Sequence, residues 1–118
     1  MRILVIDDDE DCRLLTKRRL ALDGDLVEVV ESGEAALDKL KEGSFDLVIT
    51  DRTMPGMSGD ELAKAVKKKF PNVPVIMLTG SAEEMVFNAD HPGGVDELVS
   101  KPAMLTELRQ VINRICAR

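Results

Sequence analysis

The stretch ILVIDDDED, residues 3–11, decides how this chain reads. Four apolar residues, Ile3 to Ile6, show the non-alternating, β-branched character of a strand buried on both faces. They run without a spacer into Asp7, Asp8, Asp9, Glu10 and Asp11. Packing gives no reason to end a buried strand in this way, because like charges repel and burying any carboxylate is costly. The last three acids have a bland explanation: in the first turn of a following helix they cap it and complement its dipole. Asp7 and Asp8, at the strand end itself, do not.

Four further apolar runs resemble the first: LVEVV at 26–30, DLVIT at 46–50, VPVIML at 73–78 and a weaker ELVS at 97–100. Segments of helical period lie between them. The first spans 10–22 and stops at Gly24. The second is N-capped by Ser32 and ends at Gly43. The third opens with a capping box, Ser58 with Glu61, and halts before Pro71. A fourth opens with Ser81 and Glu84 and cannot pass Pro92; the last places Leu105, Leu108, Val111, Ile112 and Ile115 on one stripe. Strict alternation of strands and helices predicts an α/β fold, with a parallel sheet, helices on both faces and right-handed crossovers. At 118 residues the chain fits a single domain over 1–118, with no output domain after the last helix.

Composition excludes several functions. A net charge of −6 argues against direct nucleic-acid binding, which needs clustered Lys and Arg. Without Trp or Tyr, and with Phe45, Phe70 and Phe87 scattered, no base-stacking platform forms. No apolar run reaches the roughly 20 residues of a membrane helix, and the start MRILV lacks the layout of a signal peptide; a cytoplasmic protein without membrane contact is expected. Cys12 and Cys116 have no metal spacing and read as small core residues.

On the expected sheet, Asp7 and Asp8 end the first strand, Asp51 the third, Thr79 the fourth and Lys101 the fifth. In a parallel sheet these ends share one edge, where open α/β sheets bind ligands. Three carboxylates in one pocket require a cation beyond Lys101. An oxygen-rich set suits a hard divalent ion that keeps several waters, which describes Mg²⁺. Such a site is equipped for phosphoryl transfer: metal and amine neutralise the phosphoryl oxygens, and one Asp can act as nucleophile.

Four blocks, ILVIDDDE, DLVITDRTMPGMSGDEL, VPVIMLTG and LVSKP, occur in an order and spacing that resemble the receiver domain of bacterial two-component response regulators, including the chemotaxis type, across nearly the whole chain. The resemblance implies a flavodoxin-like (βα)5 sandwich with strand order 2-1-3-4-5 and a signalling module rather than an enzyme. It implies Asp51 as phosphoacceptor, assisted by Lys101 and Thr79. Asp8 and Asp51 would bind Mg²⁺ directly, Asp7 through water, and Thr53 through its backbone carbonyl. The Lys101–Pro102 bond would be cis, Pro55 and Gly56 would shape the loop after Asp51, and Gly80 would leave space for the phosphate. The implied partner is a sensor histidine kinase or phosphotransfer protein, the protein itself being a monomer or weak dimer.

Two other functions stay in view. A phosphohydrolase of the haloacid dehalogenase type also uses a strand-end Asp with Mg²⁺, and Asp7-x-Asp9 matches its Asp-x-Asp string, although Glu10-Asp11 follows where that family usually has Gly-Thr. A degenerate receiver that only binds partners is the other. On the first helix Arg13, Lys17, Arg18 and Arg19 either form a solvated face, with Arg13 and Lys17 paired to nearby acids, or dock a kinase. The Lys67–Lys69 run sits where a helix C-terminus favours cations. The methionines at 54, 57, 77, 85 and 104 read as packing, and His91 carries no chemistry. Leu98 replaces the aromatic residue common three positions before the family's lysine, and Pro92, Gly93 and Gly94 shorten the preceding helix. The expectation is that phosphorylation acts on residues 81–95, and that partners read this face together with the last helix.

Overall fold

The structure is a computed structural model of the chain and describes residues 1–52, 54–79, 95, 97–100 and 104–116. In chain order the elements are β1 (Arg2–Ile6), α1 (Glu10–Leu22), β2 (Leu26–Val30), α2 (Gly33–Glu42), β3 (Leu47–Asp51), α3 (Gly59–Lys69), β4 (Val75–Thr79), β5 (Glu97–Ser100) and the C-terminal helix α4 (Met104–Cys116). β1 pairs in parallel with both β2 and β3, and β3 with β4, which produces the expected order 2-1-3-4. Glu97–Ser100 runs parallel along the far side of β4. The helix expected from Ser81, the Pro92-Gly93-Gly94 segment and the Lys101–Pro102 bond lie outside the described residues.

Alternation along the strands assigns two cores. Leu4, Ile6, Val48 and Met77 face Ala36 and Leu40 of α2 and Leu62, Ala63 and Val66 of α3. Ile3, Val5, Leu47, Ile49, Ile76 and Leu78 face Leu20 of α1 and Val111, Ile112 and Ile115 of α4. Each buried Leu or Ile contributes about 1.5–3 kcal/mol. Apolar cover on both faces is why ILVI shows no sequence alternation: both sets of side chains are buried, at 0–1 % exposure.

The ends of the helices follow local chemistry. Asp9 caps α1, accepting from the N–H groups of Asp11 and Cys12, and Ser32 caps α2 through Ala35 N–H. Ser58 and Glu61 complete the capping box of α3, whose last turn carries Lys67, Lys68 and Lys69. Met54 and Met77 are buried and Met57 packs on the same core, as packing methionines should; Met85 lies outside the described residues. Cys12 is only half-buried, so it edges the core rather than filling it.

β2 is an edge strand: Leu26 is 69 % exposed and the four residues after it are half-buried. Its Glu28 is tied to Arg2 at 2.9 Å and Lys39 at 3.4 Å, beside a polar cavity of about 190 Å³ also lined by Glu42 and Gly43. Partial loss of hydration pushes the Glu28 carboxyl up, but the hydrogen bonds and charges of Arg2 and Lys39 outweigh it and hold the group below its ordinary range.

The chain leaves β1 towards β2 on one side and leaves β3 towards β4 on the other. The order reverses between them, which opens a crevice at the carboxyl ends of β1 and β3.

Candidate functional site

Asp7 follows β1 directly, and Asp51 is the last residue of β3. Both are buried, at 3 % and 6 % exposure, whereas Asp8 is exposed. One carboxylate oxygen from each of Asp7, Asp8 and Asp51 lies within 4.8 Å of the other two.

The first acid is held by main chain on several sides. Its N–H donates to the Val30 carbonyl at 3.2 Å, extending the β1–β2 ladder by one residue. Its Oδ1 accepts from Asp9 N–H at 2.9 Å. Its carbonyl accepts from the Arg13 guanidinium at 2.7 Å. Arg13 thus reaches back one and a half turns to the loop before its own helix. The sequence expectation of an Arg13–acid pair is corrected here: the guanidinium bonds to a backbone carbonyl. Arg13 also lines a groove of about 360 Å³ with Val29, Val30, Glu31 and Ala35.

The corner after Asp51 is equally constrained. The buried Thr50 hydroxyl donates to the Asp51 carbonyl at 2.9 Å. Arg52 N–H donates to Leu78 O at 3.2 Å, and Gly59 N–H donates to Arg52 O at 2.8 Å. The start of α3 is thereby drawn against the end of β3. A Cβ at Gly59 would strike the Asp51 carbonyl oxygen and stand 2.8 Å from Arg52 Cα, so only glycine fits. Gly56 takes φ +78° and turns the loop, as the Pro55-Gly56 pair suggested. Arg52 pairs with Asp60 in the first turn of α3 at 3.3 Å.

The structure brings Asp7, Asp8 and Asp51 together. The Thr79 backbone ends β4, while its side chain, together with Thr53, Gly80 and Lys101, lies outside the described residues. Asp9 does not belong to the cluster's ligand set: its carboxylate is used at 2.9 and 3.2 Å by the α1 cap, so the literal Asp-x-Asp string does not make a paired-Asp site. Sequence reasoning missed Thr50, Gly59 and the Arg52–Asp60 pair. A glycine in the first turn of a capped helix, an unfavourable residue there, was the readable signal for Gly59.

Chemically, the cluster fits a hard cation. Oxygens sharing one Mg²⁺ at about 2.1 Å lie at most about 4.2 Å apart, so small side-chain rotations would suffice. The ion would relieve the mutual repulsion of the three carboxylates. Among the described residues no helix is long and apolar enough to cross a membrane.

Comparison with known proteins places this geometry. The sequence pattern of the response regulator receiver domain matches residues 3–113. The chemotaxis protein CheY-3 of Vibrio cholerae is 32 % identical over 121 residues, covering all of this chain and 93 % of that protein. The virulence sensor protein BvgS of Bordetella pertussis is 35 % identical over 125 residues, and there the chain spans only 10 % of the relative's length. Among solved structures, the response regulator TrrA of Thermotoga maritima, in complex with Mg(2+)-BeF, superposes with a TM-score of 0.87 at 37 % identity, covering 96 % of each chain. A receiver domain from Clostridium thermocellum reaches 0.90 at 34 % identity, covering 99 % of this chain and 94 % of its own. With the flavodoxin-like sheet and the carboxylate cluster at its switch point, these matches show that the chain belongs to the response regulator receiver family, the phosphoacceptor domains of two-component signalling.

Proposed function

We propose that Asp51 is the phosphoacceptor of this receiver and that Asp7, Asp8, Asp51 and the Thr53 carbonyl hold Mg²⁺ beside it. The observation that carries this reading is the convergence of three carboxylates, two of them buried, on the carboxyl ends of β1 and β3. The donor is a phosphohistidine on a sensor histidine kinase or phosphotransfer protein. An Asp51 oxygen attacks phosphorus, the O–P bond forms as the P–N bond breaks, and the imidazole leaves with the electron pair and takes up a proton. When bound, Mg²⁺ neutralises charge on the phosphoryl oxygens. Lys101 supplies a further positive charge and Thr79 a hydroxyl donor at the same oxygens. Asp7 is fixed by Asp9 N–H and Arg13, which keeps its carboxylate turned to the site.

In this reading the chain is a single cytoplasmic domain of five strand–helix units over 1–118. It acts as a switch rather than as a classical enzyme, a monomer or weak dimer. The kinase docks along α1, where Leu14 and Leu15 are 46 % and 54 % exposed beside the Arg13 end of the crevice. Intact-mass measurement after incubation with acetyl phosphate and Mg²⁺ tests the assignment. Wild type should gain one phosphoryl group, Asp51→Ala none. Equal labelling of both, or steady turnover of many phosphate esters, would overturn it.

A further inference from the structure

Arg52 is the residue after Asp51 and ties both ends of the loop that leads to α3. Its carbonyl accepts from Gly59 N–H at 2.8 Å, which closes the loop at its base. Its guanidinium lies against the Asp60 carboxylate: Nη2 donates to Oδ2 at 3.4 Å, and Nε stands 3.3 Å from Oδ1 as an ion-pair contact. The two side chains are 24 % and 32 % exposed, so solvent screens the pair only in part. Asp60 Oδ1 is buried and accepts no hydrogen bond among the described residues, so the guanidinium charge is its compensation.

We propose that the Arg52–Asp60 pair is a clamp that positions the backbone next to Asp51 and thereby sets the affinity of the metal site. The inference rests on the metal reading above, in which Asp51, the residue before Arg52, is a ligand. Arg52 is joined to Asp51 and bonded through its main chain to Leu78 and Gly59, so a shift of Arg52 moves the backbone that carries the Asp51 carboxylate and changes its path. A planar guanidinium fork that donates once, from Nη2, and lays its charge beside Oδ1 restricts that path in a way a single point charge does not. Groups one step removed from a metal commonly govern affinity by orienting its ligands. Asp60 also stands in the first turn of α3, where any acid complements the helix dipole. That role would not depend on Arg52, so the two explanations separate.

Calorimetric Mg²⁺ titration of the whole chain decides, using wild type, Arg52→Ala, Asp60→Asn, the double variant and Asp8→Asn. Each single change should weaken Mg²⁺ by about tenfold. The double should lose no more than either single, because both remove one interaction. Asp8→Asn should lose Mg²⁺ binding. Arg52→Lys keeps the charge without the fork and serves if the alanine variant does not fold; it too should bind Mg²⁺ more weakly. Unchanged affinity at Arg52, or losses that multiply independently in the double, would overturn the clamp. Wild-type binding by Asp8→Asn would instead overturn the metal reading itself.

Discussion

At the scale of residues, Gly59 and Gly33 show how differently two close approaches behave. A methyl group on Gly59 would meet the Asp51 carbonyl and Arg52 Cα, atoms of a main chain bound on both sides. A methyl group on Gly33 would meet the Met57 side chain, 2.7 Å from its sulfur, and that flexible chain can move aside. Gly59→Ala should therefore lower stability by about 1–3 kcal/mol, and Gly33→Ala by clearly less. Urea unfolding measures both. The atoms that the Gly59→Ala methyl group would displace include the backbone carbonyl of Asp51, the proposed phosphoacceptor, so labelling by acetyl phosphate should slow in that variant while remaining near normal in Gly33→Ala. Equal behaviour of the two would show that the α3–β3 approach is not tight.

Among the elements, α1 does most to define the site without contributing a carboxylate to it. Its cap, Asp9, bonds to the N–H groups of Asp11 and Cys12 while its own N–H holds Asp7. Its first turn carries Glu10 and Asp11, which favour the positive helix end, and Arg13 returns to the Asp7 carbonyl. Only Thr16 and Leu20 of this helix are buried, so its attachment to the sheet is narrow and its outer face is open. Asp9→Ala should cost about 1 kcal/mol through the lost cap, read from the shift of a denaturation midpoint. Because Asp9 N–H survives the change, labelling of Asp51 should persist. Abolished labelling at preserved fold would reopen the Asp-x-Asp hydrolase reading.

For the whole molecule, the carboxylate cluster is a source of repulsion that the rest of the fold offsets. Two packed cores and the paired strands on each side of β1 hold Asp7 and Asp51 together despite their charge. Mg²⁺ at 100 times its dissociation constant should add about 2.7 kcal/mol to stability by mass action. Asp8→Asn removes one negative charge, so it should be more stable than wild type in a chelator yet gain little from Mg²⁺. Thermal melting across a Mg²⁺ series checks this; an equal rise in melting temperature for both proteins would remove Asp8 from the ligand set.

Much of this architecture was legible in the sequence because its signals are local. Buried strands announce themselves by β-branched runs, helix starts by Ser32, Ser58 and Asp9, and loop reversal by Pro55-Gly56. Asp7, Asp8 and Asp51 could be named as partners because a parallel sheet sends every strand's carboxyl end to one edge. Their separation could not, since it depends on register between strands far apart in sequence. The same holds for Arg13, which chooses a backbone carbonyl over the acids around it. Gly59 leaves a trace in the sequence as a glycine in a helix's first turn, but the reason for it, like the Arg52–Asp60 pair, belongs to tertiary structure. Nothing in the order of residues states how closely α3 is drawn to β3; the hydrogen bond from Gly59 to Arg52 does, and it leaves no room there for a side chain.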